Sequence, residues 1–186
     1  MIAVVKYNAG NIHSVMRALN RIGAQAVLTD DEKIIRSADK VIFPGVGEAS
    51  SAMAYLREKG LDSVLSSLNQ PFLGICLGMQ LMTSHSLEGD TNCLSIFSKD
   101  KVERFPGDRG YKIPQVGWNT IEPIDSELFY GIEKGSYVYF VHSFYVPKSE
   151  FSASLTDYDD LVYSSALRKD NYFGVQFHPE KSGKGC

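Results

Sequence analysis

Short apolar runs alternate with stretches of helical spacing along the first half of the chain. Runs rich in β-branched and other apolar residues predict four strands, at residues 2–7, 26–29, 41–43 and 72–76. Apolar positions three and four residues apart predict helices at residues 11–22 and 49–58, and a short helix beginning at about Leu77. Strands that alternate with helices form a parallel sheet covered on both faces. We therefore expect a three-layer α/β fold with helices on both faces of a parallel central sheet.

The second half changes character, because β-rich pieces follow one another with only turns between them. They lie at residues 95–97, 116–121, 137–146, 152–155, 161–167 and 172–177. This pattern predicts an antiparallel portion added at the edge of the parallel core. No linker composition divides the two halves, so residues 1–186 are expected to form a single domain.

Composition and charge exclude several classes of function. The chain carries a net charge of −3, and this lack of basic excess argues against nucleic-acid or anionic-membrane partners. Its longest apolar runs are too short to cross a bilayer, and the N-terminus does not have the pattern of a signal peptide. Three cysteines without close spacing argue against both a disulfide framework and a metal site. A cytoplasmic protein without cofactor or metal is therefore expected.

The candidate chemistry begins at Cys76, which lies between Gly74 and Gly78 where a predicted strand turns into a helix. This Gly-x-Cys-x-Gly pattern has the form of the nucleophile elbow of hydrolases. Such a turn forces its central residue into strained backbone geometry and holds its side chain clear of the carboxyl end of the sheet. A buried, inert cysteine in a glycine-containing strand accounts for the pattern equally well.

A nucleophilic cysteine needs a base, and His178 is the candidate because it directly follows the last predicted strand. Glu180, two residues further on, could accept the other ring N–H and fix the imidazole tautomer. Taken alone, this pair is more typical of a protein surface than of a catalytic site.

Stabilisation of a tetrahedral intermediate needs backbone N–H donors, and two segments could supply them. Val46 and Gly47 follow a predicted strand in a glycine-containing turn, and Leu77 follows the candidate nucleophile. A simple strand-ending turn at residues 44–47 would account for the same glycines.

Six stretches together resemble a known family. The segments PGVGEA, GICLGMQLM and GVQFHPEKS, in this order, are similar to class I (triad-type) glutamine amidotransferases. The further segments YNAGNIHSV, KIPQVGWNTI and YFVHSFYV resemble the glutaminase subunits of imidazole glycerol phosphate synthase, and the similarity extends over essentially the whole chain.

This resemblance implies the flavodoxin-like three-layer fold of class I glutamine amidotransferases and a set of residue roles. Cys76, His178 and Glu180 would be nucleophile, base and orienting acid. The residues implied to hold glutamine are Gly45, Gln80, Glu88, Ser143 and Phe144. Those implied to face a partner are Asn11, Trp118, Asn119 and Tyr139. The partner would be a (β/α)₈-barrel cyclase forming a heterodimer, in which ammonia passes through the barrel to make imidazole glycerol phosphate and an aminoimidazole carboxamide nucleotide for histidine biosynthesis.

Two departures from the family pattern widen the range of functions. Gln115 stands where family members usually carry histidine, as in relatives that supply ammonia to a sugar amidotransferase in surface-polysaccharide synthesis. Few residues follow HPEKSG, so the C-terminal helix of the family is expected to be missing. The sequence is also compatible with a catalytically idle scaffold of the same fold and with a stand-alone cysteine hydrolase.

Overall fold

The computed structural model describes residues 1–8, 10, 12–124 and 127–183, and within them helices and strands alternate first and strands dominate later. The helices are α1 (Ile12–Arg21), α2 (Glu32–Ser37), α3 (Ala49–Glu58), α4 (Leu61–Leu65) and α5 (Leu77–Leu81). The early strands are β1 (Ile2–Val5), β2 (Ala26–Thr29), β3 (Lys40–Phe43), β4 (Phe72–Ile75), β5 (Thr83–Ser86), β6 (Thr91–Asn92) and β7 (Phe97–Arg104). The later strands are β8 (Gln115–Thr120), β9 (Glu122–Pro123), β10 (Tyr137–His142), β11 (Phe144–Pro147), β12 (Ser152–Tyr158), β13 (Leu161–Lys169) and β14 (Tyr172–Val175).

One large sheet organises the fold, with strand order β2-β1-β3-β4-β14-β13-β11-β7-β5-β6. The first five strands in this order are parallel, and β14 lies in the middle of the sheet between β4 and β13. From β13 onward the pairing is mainly antiparallel, and β8 and β10 form a separate two-stranded antiparallel sheet. The expected fold class is confirmed: a mainly parallel α/β core with an added antiparallel portion.

The parallel part of the sheet packs a hydrophobic core on each face. Successive residues of a strand point to opposite faces, so Ala3 and Val5 of β1 join one core while Val4 joins the other. The first core contains residues of α3, α4 and α5, and the second contains residues of α1 and an aromatic group around Phe140 and Tyr163. This arrangement gives the three layers that the alternating sequence pattern predicts.

Several predicted elements need correction. The strand at residues 172–177 was expected in the antiparallel portion, but β14 pairs in parallel with β4, because the last strand returns to the core instead of extending its edge. The predicted strand at 95–97 is wrong in extent, since β7 runs over Phe97–Arg104 with only three buried positions among exposed, mostly charged ones. The predicted run at 137–146 is interrupted at Ser143, where β10 ends and β11 begins in another sheet.

Two further findings concern the helices. The short helices α2 and α4 were not predicted, since each has too few apolar positions to show a helical period. No helix in the described ranges is both long and apolar enough to span a membrane. The expectation that a C-terminal helix is missing concerns residues beyond 183, which lie outside the described residues.

Candidate active site

Cys76 occupies the turn between β4 and α5 in a conformation that is rare for a residue with a side chain. Its φ is 54° and its ψ is −111°. The backbone is held from both sides, because the Cys76 N–H donates to the Val175 carbonyl (2.7 Å) and its carbonyl accepts from the Gln80 N–H (3.1 Å). The structure therefore contains the strained strand-to-helix turn that the Gly-x-Cys-x-Gly pattern predicts.

The two flanking glycines allow the elbow to pack against the sheet. A Cβ on Gly78 would lie 1.9 Å from the Phe43 carbonyl oxygen, and a Cβ on Gly74 would lie 2.9 Å from the Gly78 carbonyl carbon. Real Cβ atoms do not approach backbone so closely, so neither position accepts a side chain without a shift of the chain. Gly74 also pairs with Gly174 of β14, which brings the last strand alongside the elbow.

His178 follows β14, and its side chain lies beside Cys76 because β14 runs alongside β4, the strand that leads into the elbow. Its Nδ1 donates to Glu180 Oε1 over 2.8 Å, and the two side chains are only 1% and 3% exposed. Burial lowers the pKa of His178, but the Cys76 sulfur and the Glu180 carboxylate together raise it more, to about 9. Nε2 is the remaining nitrogen and has no hydrogen bond of normal geometry within the described part of the chain. The thiol and the imidazole are therefore adjacent, but His178 Nε2 and Cys76 Sγ are not aligned for a hydrogen bond of normal geometry. Catalytic groups often align fully only when substrate binds.

Backbone contacts with β10 fix the segment that carries His178. The His178 N–H donates to the Tyr139 carbonyl (2.9 Å), and the Ser182 hydroxyl donates to the His178 carbonyl (2.6 Å). The Tyr139 N–H in turn donates to the Ser182 hydroxyl oxygen (3.0 Å). The position of the imidazole therefore depends on β10, and sequence analysis did not identify Ser182 as a contributor because its partners are distant in sequence.

The loop at residues 44–47 lies beside the elbow. The Tyr7 hydroxyl donates to the Pro44 carbonyl (2.6 Å), and burial, followed by the Cys76 charge, raises the pKa of that tyrosine. The Leu77 N–H donates to the Gly45 carbonyl (3.2 Å). Leu77 was expected to offer its N–H to an oxyanion, but in this conformation that donor already has a partner.

The outer end of this loop is less closely packed. The Val46 carbonyl accepts from the Gly10 N–H over 3.2 Å, and Gly47 has a φ of +134° with no atom within 4 Å of a Cβ built on it. The side of Gly47 on which a Cβ would stand therefore faces open space.

A cavity of about 310 Å³ opens beside the sulfur. This volume is at the lower end of the ~300–1,000 Å³ range of small-molecule sites. Its lining consists of Val46, Gly47, Cys76, Leu77, Gln80, Glu88, Pro114, Val141, His142, Ser143 and Phe144. Four of the five residues expected to hold glutamine thus line the cavity, and Gly45 does not.

Two of those residues make contacts that sequence analysis did not anticipate. Glu88 accepts from the Ala49 N–H at the start of α3 (2.9 Å). Burial raises the pKa of Glu88. The hydrogen bond from Ala49 lowers this pKa, and the charge of the neighbouring Glu48 raises it, so the net shift is upward. Gln80 is 4% exposed, and its Nε2 donates to the Phe144 carbonyl and to Gln176 Oε1, each over 2.9 Å. The part of Gln80 that remains for a ligand is its side-chain oxygen.

His142, at the end of β10, is a further titratable residue that lines the cavity. Burial lowers its pKa to about 4, the hydrogen bond to Phe144 opposes that shift, and the charge of His178 adds to it. His142 Nδ1 donates to the Phe144 carbonyl (2.7 Å), and Nε2 lies 3.2 Å from the Tyr163 hydroxyl. Tyr163 also contacts Gln115 Oε1 at 2.9 Å, so Gln115 belongs to a buried polar network.

The residues expected to face a partner differ in whether their side chains are exposed and free of contacts within the chain. Trp118 is 55% exposed and touches Tyr139 edge-on with ring centroids 6.0 Å apart, so this lone tryptophan is a surface residue and not part of the core. Asn119 Nδ2 donates to the Asp157 carbonyl (2.8 Å), which uses its side chain within the chain. Asn11 lies outside the described residues.

No group of three or more His, Cys, Asp or Glu side chains within the described ranges is arranged to hold a metal ion.

Comparison with solved structures finds the same fold. One glutamine amidotransferase structure matches with a TM-score of 0.74 at 18% identity, covering 97% of this chain and 91% of that one. A glutamine amidotransferase from Thermotoga maritima matches with a TM-score of 0.67 at 17% identity, covering 96% of this chain and 75% of that one. At such identities the likeness concerns the fold alone.

Sequence comparison is more specific. The family described as glutamine amidotransferase class-I matches residues 3–185. A protein of Bacteroides thetaiotaomicron named imidazole glycerol phosphate synthase subunit HisH is 57% identical, over 98% of this chain and 93% of its own length. Proteins of the same name from Haemophilus influenzae and Archaeoglobus fulgidus are 45% and 44% identical, over 98% and 99% of this chain and 91% and 92% of their own lengths. The chain therefore belongs to the class I glutamine amidotransferases, among the HisH subunits of imidazole glycerol phosphate synthase.

Proposed function

We propose that this protein hydrolyses glutamine to glutamate and ammonia, with Cys76 as nucleophile, His178 as base and acid, and Glu180 as the group that orients His178. The observation that carries this proposal is the meeting of a cysteine on a strained elbow with a buried His–Glu pair beside a cavity of about 310 Å³. The raised pKa of His178 favours a proton on the imidazole at neutral pH, and this is the proton that the leaving nitrogen of glutamine requires.

The reaction follows from this charge distribution. The Cys76 thiolate attacks the side-chain amide carbon of glutamine and gives a tetrahedral intermediate. His178 Nε2 then donates its proton to the leaving nitrogen, which departs as ammonia and leaves a glutamyl thioester. His178 next takes a proton from water as the water attacks the thioester carbon. Collapse of the second intermediate releases glutamate and regenerates the thiolate.

The cavity residues supply recognition in this proposal. Gln80 and Glu88 would hold the polar head of glutamine, and the backbone at Ser143 and Phe144 its carboxylate end. The oxyanion would be stabilised by N–H groups of Val46, Gly47 and Leu77 once the loop at 44–47 changes conformation. The open surroundings of Gly47 support such a change, and the engaged Leu77 N–H gives a reason for low activity before it occurs.

The ammonia would pass to a partner, a (β/α)₈-barrel cyclase bound as a heterodimer, and be used in the histidine pathway of the cytoplasm. The names of the relatives support a subunit role. Exposed apolar side chains on the β8–β10 sheet, beside the segment that carries His178, support a docking surface there. They are Val116 (52%), Trp118 (55%) and Tyr137 (65%).

Glutamine hydrolysis by the full chain, measured with and without a purified cyclase partner, tests the proposal. We expect partner-stimulated release of glutamate and ammonia, lost by at least ~10³-fold in Cys76→Ala because the covalent step disappears. Cys93→Ala is the matched control, since this partly buried cysteine lies outside the cavity lining and should be dispensable. Ammonia release by Cys76→Ala would remove the nucleophile from the proposal.

The same measurement separates the competing functions. An idle scaffold would neither release ammonia nor react at Cys76 with an electrophilic glutamine analogue, and a stand-alone hydrolase would be fully active without a partner. Sugar amidation was suggested by Gln115, which is 3% exposed and accepts a hydrogen bond from the Tyr163 hydroxyl. The relatives' names favour the histidine pathway.

A further inference from the structure

Gln176 lies between β14 and His178, and the mechanism above assigns it no role. Its side chain is completely buried, and its N–H donates to the Ser165 carbonyl over 2.9 Å. Gln176 Nε2 lies 3.6 Å from Cys76 Sγ, within reach of an N–H···S hydrogen bond. A polar side chain at the nucleophile that faces no solvent needs a physical reason.

The orientation of the Gln176 amide is fixed by a series of hydrogen bonds. The Phe144 carbonyl can only accept, so the Gln80 atom facing it must be the nitrogen. This nitrogen has two hydrogens, and the second points to Gln176 at 2.9 Å, where an acceptor is required. Gln176 therefore turns its oxygen to Gln80 and its nitrogen to the sulfur. His142 also donates to the Phe144 carbonyl (2.7 Å), which anchors the start of the series.

This arrangement treats the two protonation states of Cys76 differently. A thiol could donate to the Val141 carbonyl, 3.9 Å from Sγ, and a thiolate cannot. An N–H donor interacts much more strongly with a negatively charged sulfur than with a neutral one. Since the Gln176 nitrogen cannot turn away without breaking its bond to Gln80, it favours the thiolate permanently.

We propose that Gln176 is a positioning residue that stabilises the Cys76 thiolate and fixes its direction, with Gln80 and the Phe144 carbonyl as its anchor. The inference rests on the proposed role of Cys76 as nucleophile. It also gives Gln80 a second role beside contact with the substrate, because its nitrogen sets the orientation of Gln176.

Among the described residues, the titratable groups that interact electrostatically with the sulfur are His178, Tyr7 and Tyr163. Glu88 and His142 line the same cavity. His178 interacts with Cys76 directly, whereas burial followed by weaker influences, among them the Cys76 charge, raises the pKa of both tyrosines. Both hydroxyls therefore stay neutral over the working range of pH. A change in the titration of Cys76 after substitution of Gln176 can be assigned to the lost donor, provided that His178 is unchanged.

Alkylation of Cys76 by iodoacetamide, followed by mass spectrometry of the peptide that contains it, tests the proposal without glutamine. The rate is measured against pH for the full-length wild type, Gln176→Met and Gln176→Glu. Methionine keeps the length of the side chain without the N–H, and the pH midpoint of alkylation should rise by about one unit. Glutamate can still accept from Gln80 but turns an oxygen to the sulfur, so its midpoint should rise at least as far.

Gln70→Met is the matched control, because Gln70 Nε2 also donates to a backbone carbonyl, that of Ile35 (2.8 Å), far from Cys76. It should lose a similar hydrogen bond and keep the wild-type midpoint. Wild-type midpoints in both Gln176 variants would overturn the proposal. If only one variant folds, its midpoint decides alone. A wild type that alkylates normally but never hydrolyses glutamine would refute the glutaminase function and leave this comparison valid.

Discussion

The two walls of the cleft differ in how tightly their backbone is packed. The elbow wall, residues 74–78 with His178, is held by hydrogen bonds on every side, and its glycines have no room for a Cβ. The loop wall, Val46 and Gly47, follows the tightly packed Gly45 and ends at Gly47, where a Cβ would meet nothing within 4 Å. A nucleophile needs a fixed position, whereas oxyanion donors can be switched by reorienting one peptide. The difference supports the proposal that the nucleophile is held rigidly while the oxyanion donors respond to a change in the loop.

Substitution of an elbow glycine should give the largest effect. In Gly78→Ala the new Cβ would lie 1.9 Å from the Phe43 carbonyl oxygen, so β3 and α5 must separate. We expect a loss of roughly 4 kcal/mol or more in the free energy of unfolding, or no folded protein at all. Urea unfolding measures it. The control is Gly107→Ala, where nothing lies within 4 Å. Equal stability of the two variants would contradict the rigid elbow wall.

The second prediction concerns His142, which donates to the Phe144 carbonyl that also accepts from Gln80, just beyond the elbow wall in α5. Its folded-state pKa of about 4 lies below the ordinary value of 6.5, so the unfolded chain takes up this proton first. Stability is therefore lost as pH falls from about 6.5 towards 4, by at most ~3 kcal/mol.

His142→Asn, which can still donate from a similar position but cannot titrate, should lack this acid sensitivity. Thermal or urea unfolding between pH 4 and pH 7 measures the difference, with His13→Asn on the exposed face of α1 as control. Parallel stability curves for wild type and His142→Asn would show that burial of this histidine has no part in acid stability.

Substitution on the loop wall should have the smallest effect on stability. Gly47→Ala meets no neighbouring atom, and only its φ of +134° is unfavourable, at a cost of about 1 kcal/mol. Partner-stimulated glutamine hydrolysis should nevertheless fall by more than ~10-fold, because alanine restricts the orientations of this peptide. Unfolding and activity are compared on the same preparation. A loss of stability as large as that of Gly78→Ala would remove the distinction between the walls.

Much of this architecture follows from local sequence. The extents predicted for β2 and α3 are those of the structure, because each is bounded by clear turn or helix-ending residues. The elbow could be predicted because its strained turn requires glycines at fixed positions in the sequence, two residues before and two residues after Cys76. The strand β7 could not be predicted in full, since its charged residues, exposed on the sheet, hide the period of two that marks a strand.

The finer features of the site depend on contacts between residues distant in sequence. Nothing near Gln176 indicates that its amide reaches Cys76, 100 positions away, or that Gln80 fixes its orientation. The same holds for the Ser182 contact with Tyr139, which needs β10 to lie against the turn after β14. The engaged Leu77 N–H was missed for another reason, because hydrogen bonding within a loop depends on its conformation and not on its composition.

The position of β14 has a consequence for how the protein folds. β14, the last strand in the described residues, lies between β4 and β13, in the middle of the sheet. Until β14 pairs, β4 and β13 each present an unpaired edge, and Cys76 does not have His178 beside it. Pairing of β14 therefore closes the sheet and brings His178 to Cys76 in one step, so the core and the candidate site form together.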